Sequence, residues 1–438
     1  MPRPAAPTTS SADAEAAAHL TRNTLVQLAH GLLGQTGFRL VAAPTFLPAY
    51  LFMLSGSDFV VGLARSLQGV GTVVTPLIGA SLIGHRKRFL GVTLASSGLM
   101  RLQILGVAVA GFLFGAVHEG TNTSADTAVF AVAGIILFLA LMGFFQGISQ
   151  VTMNALRAKV IPINRRGIVS GARHFLAGLS SAAVSYAAGA YIIDANVLGN
   201  GYASVFLLAF GITAIGLFAL ALTREPTATN LRARASTMET LRAVRPILRE
   251  QPAFRRFFYA RALGSCGRMA LPFYVLFAGT RMELTGATLG LLTTVWMLTS
   301  STTNLVWGYM ADRQGYKIVM VATLACWTAS HVQLLFVEDL TGMIVFFVLM
   351  GTASGGFNQS GQNMVLEFGR LEDIPIRLAA SGSAVNLVAV VGPFVGGLVV
   401  AATGYVSLFV TTTALQVIAL VIIIIAVPEP RRGHRKTE

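Results

Sequence analysis

Charge is scarce in this chain. Only 11% of its 438 residues are Asp, Glu, Lys or Arg, where a soluble domain carries about 25%. Hydrophobic residues make up 54%, and the mean hydropathy is +0.69. That balance excludes a soluble domain and implies a polytopic membrane protein. Acids are scarcer still, 18 against 32 bases, and all of them fall in tails, loops or the ends of apolar stretches. Two cysteines, Cys266 and Cys326, both inside apolar stretches, exclude a disulfide framework or a cysteine metal cluster. No nucleophile–base–acid constellation, metal-ligand cluster or phosphate-cradling loop stands out, so the chain reads as no enzyme, with no metal and no cofactor. The first 20 residues lack the apolar core of a signal peptide and read as a disordered cytoplasmic tail.

Long apolar runs are what the chain does have. A helix needs about 20 apolar residues to cross a hydrocarbon core, and such windows can be placed at 24–53, 59–83, 88–116, 127–159, 166–194, 202–223, 254–281, 286–311, 316–338, 341–366, 377–402 and 404–427. The expected fold is an all-α integral membrane protein of 12 transmembrane helices. Its parts are a tail (1–23), an N-terminal six-helix bundle (24–223), a basic cytoplasmic linker (224–253), a C-terminal six-helix bundle (254–427) and a basic tail (428–438).

Charge distribution sets the orientation. All but seven of the 32 basic residues lie in the tails, the even-numbered loops or the linker, so the positive-inside rule places both termini in the cytoplasm of an inner (plasma) membrane protein. The net charge of +14 then needs no nucleic acid. Leu241, Val244 and Leu248 in the linker share one helical face among arginines, the pattern of a short helix on an anionic leaflet, with a solvated linker as the alternative. Asn122-Thr-Ser matches the N-glycosylation pattern, a match too short to carry weight.

The two halves repeat each other. Pro44 and Gly62 are 18 residues apart, as are Pro272 and Gly290; Gly147-x-x-Gln150-x-x-x-Asn154 recurs as Gly356-x-x-Gln359-x-x-x-Asn363, and Arg166-x-x-x-Ser170-Gly171 as Arg377-x-x-x-Ser381-Gly382. Gly308-Tyr-Met-Ala-Asp312-Arg313-Gln-Gly315-Tyr-Lys317 resembles the signature loop of the major facilitator superfamily, between the second and third spans of a half. Its N-terminal counterpart, Gly79 to Arg88, keeps the glycine and the basic cluster but lacks the aspartate. The resemblance covers about residues 20–430. It implies two pseudo-symmetric bundles rocking about a midplane site, with the first, fourth, seventh and tenth helices lining the cavity and Gly308, Asp312, Arg313 and Gly315 as a gating motif.

Arginine inside a span is the sharpest functional signal, because it costs about 2.5–3.5 kcal/mol on insertion scales. Arg39, Arg101 and Arg268 sit centrally in their spans, whereas Arg65, Arg173 and Arg261 lie nearer the ends, where a long side chain is expected to snorkel to water. With no carboxylate near any midplane, the buried cations need another counter-charge, and guanidinium forks suit an anionic solute. Arg39 and Arg268 are therefore expected to bind a small anion from opposite sides of the cavity. Gln35 and Tyr50 on the first helix, Gln150 and Asn154 on the fourth, and Gln359 and Asn363 on the tenth would complete the substrate site. His174 is the proton-coupling candidate. This trio of two arginines and a histidine is similar to the arrangement in organophosphate/phosphate antiporters of the superfamily, although the flanking residues do not follow that group's motifs. His30 and His331 read as hydrogen-bonded structural residues.

The functional expectation is a secondary active transporter, monomeric by resemblance, that moves a small anionic solute through the lipid bilayer by rocker-switch alternating access. A multidrug or amphipathic-solute exporter is the first alternative; the absence of a buried acid weakens it. A non-transporting membrane sensor is the second.

Overall fold

Two prolines shape the helices that open each half. Pro44 has no N–H to give and its ring clashes with the preceding turn, so the first span, α1 (Leu20–Ser55), is two helices, Leu20–Ala42 and Phe46–Ser55, separated by a short break. At the repeat position Pro272 lies in a 3₁₀ stretch, Ser265–Phe273, that interrupts the seventh span, α7 (Pro252–Gly279). These elements are seen in a computed structural model that describes residues 18–114, 125–226, 237–369 and 373–429. The outer parts of both tails, Asn122 and the side chain of Leu241 lie outside the described residues.

The remaining spans are α2 (Asp58–Gly84), α3 (Leu90–Phe114), α4 (Ala125–Val160), α5 (Ile163–Ala187, continued by a π-helical turn Ala188–Ile193), α6 (Gly201–Ala221), α8 (Gly286–Gln314), α9 (Tyr316–Leu334), α10 (Leu340–Met364), α11 (Ile374–Thr403) and α12 (Tyr405–Ala426). Ten of the twelve are long and apolar enough to cross a membrane. The other two, α8 and α9, are more polar, and α8 carries the run Thr299-Ser-Ser-Thr-Thr-Asn304. Every expected span is present with its ends displaced by a few residues. The fold is the expected one: all-α, two pseudo-symmetric bundles of six helices.

The core shows how the bundles sit. With twelve spans, the start of α1 and the end of α12 share one side of the molecule, here called the terminal side. At the opposite, far side one continuous apolar cluster includes Leu47 and Tyr50 of the first half and Phe273, Tyr274 and Leu289 of the second. At the terminal side each half has its own core, one around Phe89, Leu156 and Leu220, the other around Phe254, Trp327 and Met364. The halves are closed against each other at the far side and parted at the terminal side.

Glycines and two carboxylates make that closure. Gly62 of α2 abuts the Pro393 carbonyl of α11, and Gly189 of α5 lies against the backbone of Gly286 and Gly290 in α8, contacts that leave no room for a Cβ and allow the close approach typical of membrane helices. Asp194, after α5, accepts hydrogen bonds from the backbone N–H of Gly286 (2.5 Å) and Ala287 (2.8 Å) at the start of α8. The Tyr405 hydroxyl of α12 donates to Asp58 of α2 at 2.6 Å.

Burial corrects the expectation for the arginines near span ends. Arg65 donates to the carbonyls of Val41 (3.3 Å) and Ala43 (2.8 Å), flanking the break at Pro44, and to Gln68. A buried carbonyl left without a partner costs about 1–3 kcal/mol, so Arg65 repairs the break that Pro44 makes. Arg173 and Arg261 are buried as well, at 6% and 5% exposure, and Arg261 donates to Ser381 Oγ of α11. Arg65 and Arg261 turn to protein acceptors and Arg173 to a cavity inside the N-terminal bundle.

The linker helix, Thr237–Glu250, docks on the C-terminal bundle. Ile247 is buried in that bundle's terminal-side core, and the following Gln251 donates to Asp373 (2.8 Å) while accepting from Arg377 (3.1 Å) at the start of α11.

Candidate functional site

A cavity of about 660 Å³ lies between the halves and is lined by α1, α5, α8 and α10. Arg39 enters it from α1, one turn before the Pro44 break. Gly178 of α5 makes the space: a Cβ there would stand 3.5 Å from the Arg39 guanidinium and would collide with Ser301 of α8. The hydrogen bond recorded for the guanidinium is a long one, 3.9 Å to the Met297 sulfur. Asn304, Asn358, Gln359, Gln362 and Asn363 supply amides, while Phe175, Trp296, Met297 and Leu305 form an apolar wall. No Asp or Glu is among the described lining residues.

Arg268 does not line this cavity. It projects from the 3₁₀ stretch of α7 into an adjoining space of about 190 Å³, with Arg65, Pro44 and Pro272 around it and Ala42 and Trp296 as walls common to both spaces. Its Nη2 donates to Asn358 Oδ1, and the Asn358 amide donates to the Ser354 carbonyl at 3.0 Å. The second arginine thus reaches the main cavity through an amide that it orients.

The other expected site residues divide. His174, Gln359 and Asn363 line the main cavity. Gln35, Gln150 and Asn154 line a side chamber inside the N-terminal bundle, together with Arg101, Arg157 and Arg173. Gln146, Gln150, Asn154 and Arg157 do form one stripe on α4, as their spacing requires, but the stripe serves this chamber. His174 Nδ1 hydrogen-bonds Gln35 Oε1 at 3.1 Å, linking main cavity and chamber. Tyr50 is brought to none of these spaces. It is fully buried at the far side, stacked on Tyr202 (5.0 Å) and accepting a 2.8 Å hydrogen bond from Asn200. Three turns along α1 from Arg39, it lies beyond the proline break, which redirects the helix. His30 and His331 are internally bonded, to the Gly216 carbonyl (2.9 Å) and to Tyr274 and Gln416 respectively. Sequence reasoning missed Trp296, Ser300, Ser301 and Asn304 of α8; the low hydropathy of the run ending at Asn304 was the available signal.

The major facilitator superfamily model matches residues 258–438, and the solved structures that resemble the whole chain have the same architecture. Residues 258–438 thus carry the superfamily's sequence pattern, and the chain as a whole has the fold of the similar solved structures. Similar structures include a D-xylose-proton symporter (TM-score 0.70, 14% identity, covering 94% of this chain and 99% of the other) and a point mutant of the nucleoside transporter NupG (0.69, 14%, 91% and 99%). A bacterial homologue of the iron transporter ferroportin, in an inward-facing state, is also similar (0.69, 13%, 92% and 98%). Such identities carry the fold, not the substrate. Comparison with curated protein sequences finds no match. The partial family match and the shared fold agree with the apolar helices in describing a multi-pass membrane protein.

The loop from Gly308 to Lys317, inside the matched segment, has a clear local logic. Gly315 joins α8 to α9 at φ +92°, a conformation open to glycine, and its missing side chain leaves room for the Glu429 carboxylate, 2.7 Å from where a Cβ would stand. Arg313 lies over the Tyr309 ring at 4.4 Å, Asp312 occupies the last turn of α8, and Gly308 sits beside Gln359. In the first half, where the loop lacks the aspartate, Glu225 supplies a carboxylate from beyond α6. It accepts from the N–H groups of Phe89 and Leu90 at the start of α3 and pairs with Lys159 at 2.6 Å.

Proposed function

We propose that this transporter carries a small organic anion through the main cavity by alternating access. The observation that carries the reading is the charge of the lining: Arg39 stands in the cavity with a methionine sulfur as its hydrogen-bond partner, amides surround it, and none of the described lining residues is acidic. A guanidinium so placed offers two parallel N–H donors to a carboxylate or similar oxyanion. Arg268 contributes by holding Asn358 and by adding positive field, not by touching the solute. The wall of Phe175, Trp296 and Met297 favours an anion with an apolar part over an inorganic ion. His174 is the coupling candidate, because its bond to Gln35 is sensitive to which ring nitrogen carries the proton. Opening of the terminal side corresponds to an inward-facing state if, as the basic loops require, both termini are cytoplasmic in a plasma membrane; a single chain suffices for the cycle, as a monomer.

Counterflow in proteoliposomes tests the reading, with a panel of short-chain carboxylates, aromatic carboxylates and lipophilic cations. Saturable exchange limited to anions supports it. Exchange or export of the cations supports the amphipathic-solute exporter instead, which the same apolar wall would serve, and no flux under any gradient supports a sensor.

A further inference from the structure

The side chamber has a chemistry of its own. It is a cavity of about 270 Å³ enclosed by α1, α3, α4 and α5 of the N-terminal bundle, and three arginines from three different helices line it: Arg101 from α3, Arg157 from α4 and Arg173 from α5. Among the described residues neither Asp nor Glu lines it. Arg101 and Arg173 are 4% and 6% exposed, and the buried Nε groups of Arg157 and Arg173 have no hydrogen-bond partner among the described residues. Arg101 is aimed: its Nε donates to the Thr213 carbonyl (2.8 Å) and its Nη1 to the Ser97 carbonyl (2.7 Å), which leaves Nη2 beside Gly34, 3.5 Å from where a Cβ would stand. Arg173 packs its stem across Gly31, where any Cβ would displace it. Two glycines one turn apart on α1 thus admit two arginines to the chamber.

Arg101 and Arg173 lose most of their hydration here, and the three cations, with no acid among the described lining residues, repel one another. A structural role would be served by one arginine paired to carbonyls, as Arg65 is. Convergence from three directions suits a ligand with oxygens in three directions and more than one negative charge. A planar carboxylate offers two oxygens and a single charge; a tetrahedral phosphate offers at least three free oxygens and about 1.5 to 2 charges at neutral pH. Ser149 and Gln150 supply further donors around the same space, and Asn154 and Gln150 are exposed at its mouth.

We propose that the chamber is a binding site for a compact tetrahedral oxyanion, phosphate as the free ion or as the monoester of a small alcohol, held by Arg101, Arg157 and Arg173. The site is separate from the Arg39 cavity and communicates with it through the Gln35–His174 bond, so occupancy on one side biases the wall that the other side shares.

The test uses the purified full chain in detergent. Thermal unfolding is followed against inorganic phosphate, glycerol phosphate and, at matched ionic strength, chloride. Saturable stabilisation by one or both phosphates and not by chloride is expected, and the better of the two identifies the source. Arg157→Met and Arg173→Met, which keep the aliphatic stem, are expected to weaken the apparent affinity at least tenfold, while Arg39→Gln changes it less than twofold. A second readout needs no variant: phosphate should slow the modification of Arg157 by phenylglyoxal, followed by peptide mass spectrometry. Equal modification with and without phosphate, no saturable stabilisation, or affinity unchanged in the two methionine variants would overturn the proposal. Loss of phosphate binding in Arg39→Gln would overturn it too, by placing the anion in the main cavity.

Discussion

Removing the Asp194 carboxylate should open the far side of the molecule. Its two hydrogen bonds, 2.5 and 2.8 Å to the first N–H groups of α8, join α5 of one half to α8 of the other and exist only while that side is closed. Bonds to a charged acceptor contribute about 1.5–3 kcal/mol each in mutational series, and an anion at a helix N-terminus adds about 0.3–1 kcal/mol. Asp194 is exposed, so water competes, and the low end for the whole arrangement, about 2 kcal/mol, is appropriate. At about 1.4 kcal/mol per factor of ten, Asp194→Ala raises the far-side-open population roughly 30-fold. Asp194→Asn keeps an acceptor without the charge and should give about fivefold, for a loss near 1 kcal/mol. The assay is the reaction rate of a membrane-impermeant thiol reagent, applied from the far side, with a cysteine at Ala43, which is fully buried beneath the closure. Cys266 and Cys326 are replaced by serine in the background. When opening is fast relative to labelling, the rate scales with the open population whatever its absolute size. An Asp194→Ala rate within twofold of the parent would refute the reasoning.

Other outcomes follow from the same packing. Arg65→Met leaves the carbonyls beside Pro44 unsatisfied and should cost about 1–3 kcal/mol, read as a melting temperature several degrees lower; an unchanged value would mean that water replaces the guanidinium. Gly315→Ala forces a side chain into φ +92° against Glu429 and should lower stability by about 1–3 kcal/mol, whereas Gly84→Ala, with nothing within 4 Å of the added Cβ, should be neutral in the same melting experiment. Gly62→Val cannot approach Pro393 and should raise far-side labelling of the Ala43 cysteine, as Asp194→Ala does; equal labelling would mean that α2 and α11 part elsewhere. His174→Gln is expected to retain anion exchange while losing uptake driven by a pH gradient, and uptake that still follows the gradient would remove His174 from coupling.

Hydrophobic length and the spacing of repeats made the fold legible, because membrane spans are set by a thickness and pseudo-symmetry by a common offset. Arg39, His174, Gln359 and Asn363 were legible as cavity residues for a related reason: a polar side chain in a lining helix has few other places to go. What spacing cannot show is the rotation of one helix against its neighbours. Gln150 and Asn154 repeat Gln359 and Asn363 in sequence, yet line the chamber of their own bundle instead of the main cavity. Arg65 and Arg268 occupy comparable surroundings beside Pro44 and Pro272, and only the three-dimensional packing shows that one mends a helix break while the other holds an amide. Tyr50 lies away from the cavity because the break at Pro44 redirects the helix after Arg39.

Anion counterflow by Arg39 variants tests the central claim most directly. In proteoliposomes loaded with the best carboxylate of the panel, Arg39→Gln should lose at least 90% of the saturable exchange and Arg39→Lys should retain a measurable part with a raised half-saturation concentration, since a lysine keeps the charge but not the fork. Exchange by Arg39→Gln equal to that of the parent, in rate and in half-saturation, would contradict the account.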